Sequence, residues 1–92
     1  MAESLVHVRY FAAACAAAGT EGEYLAVSGG DTIASLVTAI LAVDRPAPPV
    51  GVPPLAKVLD RSSFLRNEVA VRAAASVQPG DVIDILPPFA GG

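Results

Sequence analysis

The sequence contains one cysteine, Cys15, and one histidine, His7, and each scarcity closes a class of chemistry. A lone cysteine permits no internal disulfide and no multi-cysteine metal site, and it suits a reducing compartment such as the cytoplasm. His7 and Cys15 alone cannot furnish the ligand set of a structural zinc centre, so no metal is expected. Positive charge is scarce as well. Six Lys and Arg stand against nine Asp and Glu, a formal net charge of −3. That balance, with no dense basic cluster, argues against nucleic acid as a partner. No stretch approaches the roughly 20 apolar residues of a membrane span. Ala12-Ala13-Ala14-Cys15 faintly resembles a lipoprotein cleavage site at the end of an apolar run. Glu3 before that run, with His7 and Arg9 inside it, breaks the pattern of a signal segment, so no export is expected.

A self-contained active site is also missing. There is no Ser/His/Asp set in recognisable context, no phosphate-cradling Gly-rich loop, and no carboxylate pair at a helical spacing. Lys57, Arg61, Arg66 and Arg72 could form a loose basic patch, but a solvated face is the favoured reading. Cys15 has no basic or histidine neighbour in sequence to activate it, which suits a structural thiol.

Apolar residues make up 53% of the 92-residue chain, enough for one small core. Leu5 to Phe11 alternates as a strand, with Val6, Val8 and Tyr10 toward the core and Leu5, His7, Arg9 and Phe11 opposite. Phe11 on that second face is a candidate partner contact. Ala12 to Ala18 predicts a turn or two of helix stopped by Gly19. Glu23 to Ser28 reads as a second strand, antiparallel to the first, with Leu25 and Val27 inward and Tyr24 outward.

Asp31 or Thr32 then caps the best helix of the chain. Ile33, Leu36, Val37, Ile40 and Leu41 form its apolar stripe, which must cover one face of a sheet. Five prolines between Arg45 and Pro54 leave no room for a regular element, so a stiff surface loop is expected. Leu55 to Leu59 predicts a short helix started by proline. Ser63–Arg66 and Val69–Val71 read as short strands about an Asn67-Glu68 turn, and Ala73 to Val77 as irregular chain. Pro79-Gly80-Asp81 turns into a last strand. These elements imply an α+β fold, a mixed sheet of about five strands with one main helix packed on one face.

That last strand has Ile83 and Ile85 on one face and Asp84 on the other. Pro87 and Pro88 remove two backbone donors and end the ladder at Leu86. The domain is therefore read as residues 1–86, followed by a flexible tail, 87–92. The tail could extend roughly 20 Å at about 3.3 Å per residue. Gly91 and Gly92 have no side chains, so the Gly92 carboxylate could enter a narrow channel in another protein. A frayed end is the alternative. The strand, the double proline and the lone aromatic Phe89 ahead of the glycines favour the functional reading.

The run Asp81 to Gly92, ending Pro87-Pro88-Phe89-Ala90-Gly91-Gly92, closely resembles the tail of the molybdopterin synthase small subunit (MoaD-like). That family stands with the ThiS-like, ubiquitin-like β-grasp sulfur carriers. Val8-Arg9-Tyr10-Phe11-Ala12, Thr32-Ile33-Ala34-Ser35-Leu36 and Leu65-Arg66-Asn67-Glu68 extend the likeness over most of the chain. The proline-rich loop is longer than the compact family pattern. The resemblance implies a β-grasp with the last strand central and parallel to the first. It implies Gly92, with Gly91, as the reactive end: adenylated with ATP in trans by a ubiquitin-activating-type adenylyltransferase, then converted by a sulfur donor to a thiocarboxylate. It further implies a partner, the large subunit of molybdopterin synthase, in which the pyranopterin precursor gains its dithiolene. Phe89, Pro88, Pro87, Ala90, Leu86 and Phe11 are the expected partner contacts, and no bound cofactor is expected. A sibling carrier for thiazole or cysteine synthesis, a ubiquitin-like modifier and a plain binding module stay open as alternatives.

Overall fold

The structure, a computed structural model, describes residues 4–88. β1 (Leu5–Tyr10) buries Val6, Val8 and Tyr10 on one face and leaves Leu5, His7 and Arg9 half-buried on the other. It ends one residue earlier than expected, because Ala12 adopts φ 52° and turns the chain. The Phe11 N–H still donates to the Ile85 carbonyl at 3.3 Å, so Phe11 stays beside the sheet. α1 (Ala13–Ala18) closes at Gly19, whose φ of 77° is the left-handed cap that glycine adopts without a Cβ penalty.

β2 (Gly22–Ala26) runs antiparallel to β1. The expected extension to Ser28 fails: Val27 is buried but lies beyond the ladder, held by one bond from its N–H to the Ser4 carbonyl at 2.7 Å. At the other end β2 begins on Gly22. A Cβ there would stand 2.9 Å from the Val8 carbonyl oxygen and 3.2 Å from His7 Nε2, so the close approach to β1 requires glycine.

α2 (Ile33–Ala42) starts on a reciprocal cap. Thr32 Oγ1 accepts from the Ser35 N–H at 3.2 Å, and Ser35 Oγ accepts from the Thr32 N–H at 2.7 Å. Asp31 supports the same turn by accepting from the Ser28 N–H at 2.7 Å. Ile33, Leu36 and Ile40 are buried. Leu41, expected in the same stripe, is 44% exposed. It sits in the last turn, on the rim of a groove toward the later strands, where no element covers it.

Residues 43–54 carry no helix or strand, as their prolines dictate, and α3 (Leu55–Asp60) follows Pro54. β3 (Ser63–Arg66) and β4 (Val69–Val71) form a hairpin whose two turn residues, Asn67 and Glu68, both take positive φ, 50° and 73°. Two such residues give the twist that adjacent antiparallel strands need. Irregular chain then crosses the start of α2, with the Ile33 N–H donating to the Ala75 carbonyl at 3.0 Å, before β5 (Val82–Leu86) closes the sheet.

The sheet order is β2-β1-β5-β3-β4, with β1 and β5 parallel and the other pairs antiparallel. The three helices cover one face: Ile33, Leu36 and Ile40 of α2, Val58 and Leu59 of α3 and Ala14 of α1 join Val6, Val8, Ile83 and Ile85 in a single core. Each fully buried isoleucine contributes about 1.5–3 kcal/mol relative to exposure. This is the ubiquitin-like β-grasp arrangement, with the last strand at its centre.

Candidate functional site

Two features frame the tail: the end of β5 from which it leaves, and the sheet face that no helix covers. β5 is fixed on both sides, Leu86 opposite Ser63 of β3 and Ile85 opposite Tyr10 of β1. Leu86 and Pro87 are half-buried and Pro88 is exposed. Phe11 is 41% exposed beside this exit, and the Arg9 guanidinium carbon lies 5.9 Å from the centre of its ring. The structure thus gathers Phe11, Leu86, Pro87 and Pro88 at one end of the sheet. Phe89, Ala90, Gly91 and Gly92 lie outside the described residues.

On the helix-free face, alternation and register bring together Leu5, His7 and Arg9 of β1, Tyr24 of β2, Val82, Asp84 and Leu86 of β5, and Leu65 of β3. His7 and Tyr24 stack with ring centres 4.5 Å apart and planes 13° from parallel. In the middle lies a carboxylate, Asp84, only 5% exposed. Arg9 holds it with two hydrogen bonds, Nε to Oδ1 at 2.6 Å and Nη2 to Oδ2 at 2.9 Å. A buried carboxylate is tolerated when paired and hydrogen-bonded in this way. The pair leaves the centre of this face nearly neutral, between apolar side chains.

Sequence reasoning placed Arg9 and Asp84 on the outer faces of their strands and missed that they meet. A signal was present: an acid in the middle of Val82-Ile83-Asp84-Ile85-Leu86 needs a partner, and the parallel neighbour β1 offers one cation, Arg9.

A second polar knot lies on the core side. Tyr10 OH donates to Glu23, and Arg45 donates from Nη2 to Glu23 Oε2 at 2.8 Å and to the Ile40 carbonyl at 2.9 Å. Burial, then the bond to Glu23, pushes the Tyr10 phenol well above its usual range. Burial works to raise the Glu23 carboxyl, but the bonds from Arg45 and Tyr10 outweigh it and hold the carboxyl below its ordinary value. The knot ties the proline-rich loop to β1 and β2, and its Tyr10 stands opposite Ile85 at the end of β5.

Cys15 is half-buried and packs against the core. Among the described residues, no group of three or more His, Cys, Asp or Glu is placed to hold a metal ion. No described helix is long and apolar enough to cross a membrane.

Known proteins share this architecture. SAMP1 from Haloferax volcanii superposes with a TM-score of 0.76 at 23% identity, over 96% of this chain and 99% of that one. A protein assigned as molybdopterin converting factor, subunit 1, from Pyrococcus furiosus gives 0.70 at 18% identity, over 94% and 99%. The Haloferax volcanii HVO 2177 protein gives 0.66 at 21% identity, over 97% and 87%. At these identities the likeness establishes the fold. No curated protein matches the chain. The model of the ThiS family matches residues 8–92, nearly the whole sequence and the tail with it. The chain belongs to the ThiS family, the ThiS/MoaD-like sulfur carriers of ubiquitin fold.

Proposed function

We propose that this protein is the sulfur-carrying small subunit of a molybdopterin synthase and that Gly92 is its reactive residue. The observation that carries the reading is the launch of the tail. In a ThiS-family chain, the sequence Pro87-Pro88-Phe89-Ala90-Gly91-Gly92 follows directly on the central strand, which is held on both sides by its neighbours. A rigid base and a stiff double proline aim a slender peptide into a partner.

The chemistry follows from the carboxylate. An α-carboxyl has a pKa of about 3.5, so at neutral pH it is an anion that resists nucleophiles. Attack of a carboxylate oxygen on the α-phosphorus of ATP, with departure of pyrophosphate, gives an acyl-adenylate. A sulfur nucleophile from the donor then displaces AMP at the acyl carbon, leaving a thiocarboxylate on Gly92. ATP and the activating adenylyltransferase act in trans and leave no resident cofactor. The large subunit takes the tail, and two sulfur deliveries convert the cyclic pyranopterin precursor to its dithiolene. Pro87, Pro88, Phe89, Ala90, Leu86 and Phe11 seat the base of the tail, and the helix-free face contributes further contact area. The setting is cytoplasmic, where Cys15 stays reduced.

The test is reconstitution with the activating enzyme, ATP, a sulfur donor and the large subunit. Conversion of the pyranopterin precursor supports the reading. Activity only with a thiazole- or cysteine-forming acceptor reassigns the protein to a sibling pathway. The likeness to SAMP1, a small archaeal modifier protein, favours one second reading, an isopeptide bond from Gly92 to a target lysine. That reading calls for high-mass conjugates in cell extracts, which a dedicated carrier does not form.

A further inference from the structure

We infer that the groove at the helix-side root of the tail is a grip for the activating adenylyltransferase, and that it fits an apolar rim bearing carboxylates. The inference rests on the tail chemistry proposed above and adds the surface by which that enzyme holds the carrier. The groove has a volume of about 410 Å³ and is bounded by α1, α3 and the last described residues. Ala13, Pro53 and Val58 supply an apolar wall, Pro87 and Pro88 close one side, and Lys57 and Arg61 stand at the edge.

Chain length keeps the enzyme close to the groove. Only four residues separate Pro88 from the reactive end, about 13 Å at full extension of about 3.3 Å per residue. An enzyme that takes Gly92 into a channel must bring the mouth of that channel within this distance of Pro88. Pro88 is itself a wall of the groove. The groove therefore lies within the tail's reach of that mouth.

Charge gives the chemistry of the mouth. Lys57 and Arg61 lie four residues apart, one turn of chain, and both line the groove. Neither has an ionic partner: among the described residues the ion pairs are Arg9–Asp84 and Arg45–Glu23. Asp60 shares the lining and leaves the edge with one net positive charge. In a chain of net charge −3, a positive edge at the tail's root marks the approach for acidic groups. The other two cations of the loose patch read from the sequence stand elsewhere: Arg66 donates to the Ser76 carbonyl and Arg72 faces the groove beside α2.

The experiment measures ATP–pyrophosphate exchange by the activating adenylyltransferase from the same organism, as a function of carrier concentration. The carriers are the full chain, the double variant Lys57→Gln/Arg61→Gln, and Asp60→Asn. Rim charges act on encounter rate and on salt dependence. The double variant should therefore raise KM roughly tenfold at low ionic strength with kcat unchanged. The gap should close near 0.5 M salt, where the screening length falls to about 4 Å. Asp60→Asn should shift KM the opposite way. Melting curves of all three carriers keep a folding defect from posing as a docking defect, and a destabilised double variant is replaced by the two single ones. If the full chain supports exchange while the variants share its KM at every salt concentration, the inference falls and the tail chemistry stands. A rise in KM for both the double variant and Asp60→Asn likewise overturns it. If the full chain supports no exchange, the tail chemistry fails first and takes this inference with it.

Discussion

Arg9 and Asp84, 75 residues apart in sequence, face each other across the parallel junction of the first and last strands and share two hydrogen bonds. The pair joins β5, from which the tail is launched, to β1. Removing only the cation would strand a buried carboxylate, whereas replacing both groups by apolar side chains removes the problem altogether. Arg9→Met should therefore lower the thermal midpoint by several degrees, and the double variant Arg9→Met/Asp84→Leu should recover most of the loss. A double variant no more stable than Arg9→Met would show that the two residues are not coupled.

The Tyr10–Glu23–Arg45 knot makes a prediction about acid. Glu23 has a folded pKa below its ordinary value of about 4.3. Its contribution is thus complete above the ordinary value and is lost as pH falls through the folded one. Glu23→Gln should be less stable than the parent at pH 7, and the gap should narrow steadily below about pH 4. Denaturant midpoints at several pH values measure it. A gap constant from pH 7 to pH 3 would contradict the assignment.

The cap of α2 gives a local test. Thr32→Ala removes the acceptor for the Ser35 N–H and should cost about 1 kcal/mol. For a domain of this size that corresponds to a fall of roughly 4–8 °C in midpoint, read by circular dichroism. A change below one degree would show that Asp31 or solvent satisfies the turn without Thr32.

On the proposed function, docking of the tail's base depends on aromatic anchors. Phe89→Ala should weaken binding to the large subunit by about 2 kcal/mol or more, the loss expected of a buried anchor. Phe11→Ala, at a side chain already 41% exposed beside the exit, should cost less and leave folding stability within about 0.5 kcal/mol. Calorimetric titration separates the two. Negligible effects from both would move the docking surface elsewhere.

The architecture was readable because local signals agreed with one another. Alternation fixed the faces of Val6, Val8 and Tyr10; a cap at Asp31 or Thr32 and the Ile33-Leu36-Ile40 spacing fixed α2; Asn67-Glu68 fixed the hairpin. Each depends on neighbours a few residues away. What escaped was non-local. Nothing near Asp84 in the sequence reveals that Arg9 lies beside it, and nothing near Arg45 reveals that Glu23 anchors the proline-rich loop. Leu41 has the right spacing for the core, but coverage of the last turn of α2 depends on whether the β3–β4 hairpin reaches it. Of the expected site, Phe11, Leu86, Pro87 and Pro88 converge at the sheet's end. Lys57 and Arg61 became informative only once the fold set them beside the tail's root.

In the proposed mechanism the cargo rides on the carboxylate of Gly92, and mass spectrometry of the charged tail tests it. The protein and its Cys15→Ser variant are incubated with ATP, the activating enzyme and a sulfur donor, and the C-terminal peptide is fragmented in a mass spectrometer. Intact mass would mislead, because exchange of oxygen for sulfur is nearly isobaric with one oxidation at Met1 or Cys15. Fragmentation should place the change at Gly92, and a thiol-directed alkylating agent should add to that residue in the Cys15→Ser chain as readily as in the parent. Alkylation that vanishes with Cys15 would contradict the account, because the sulfur would then be carried on the thiol.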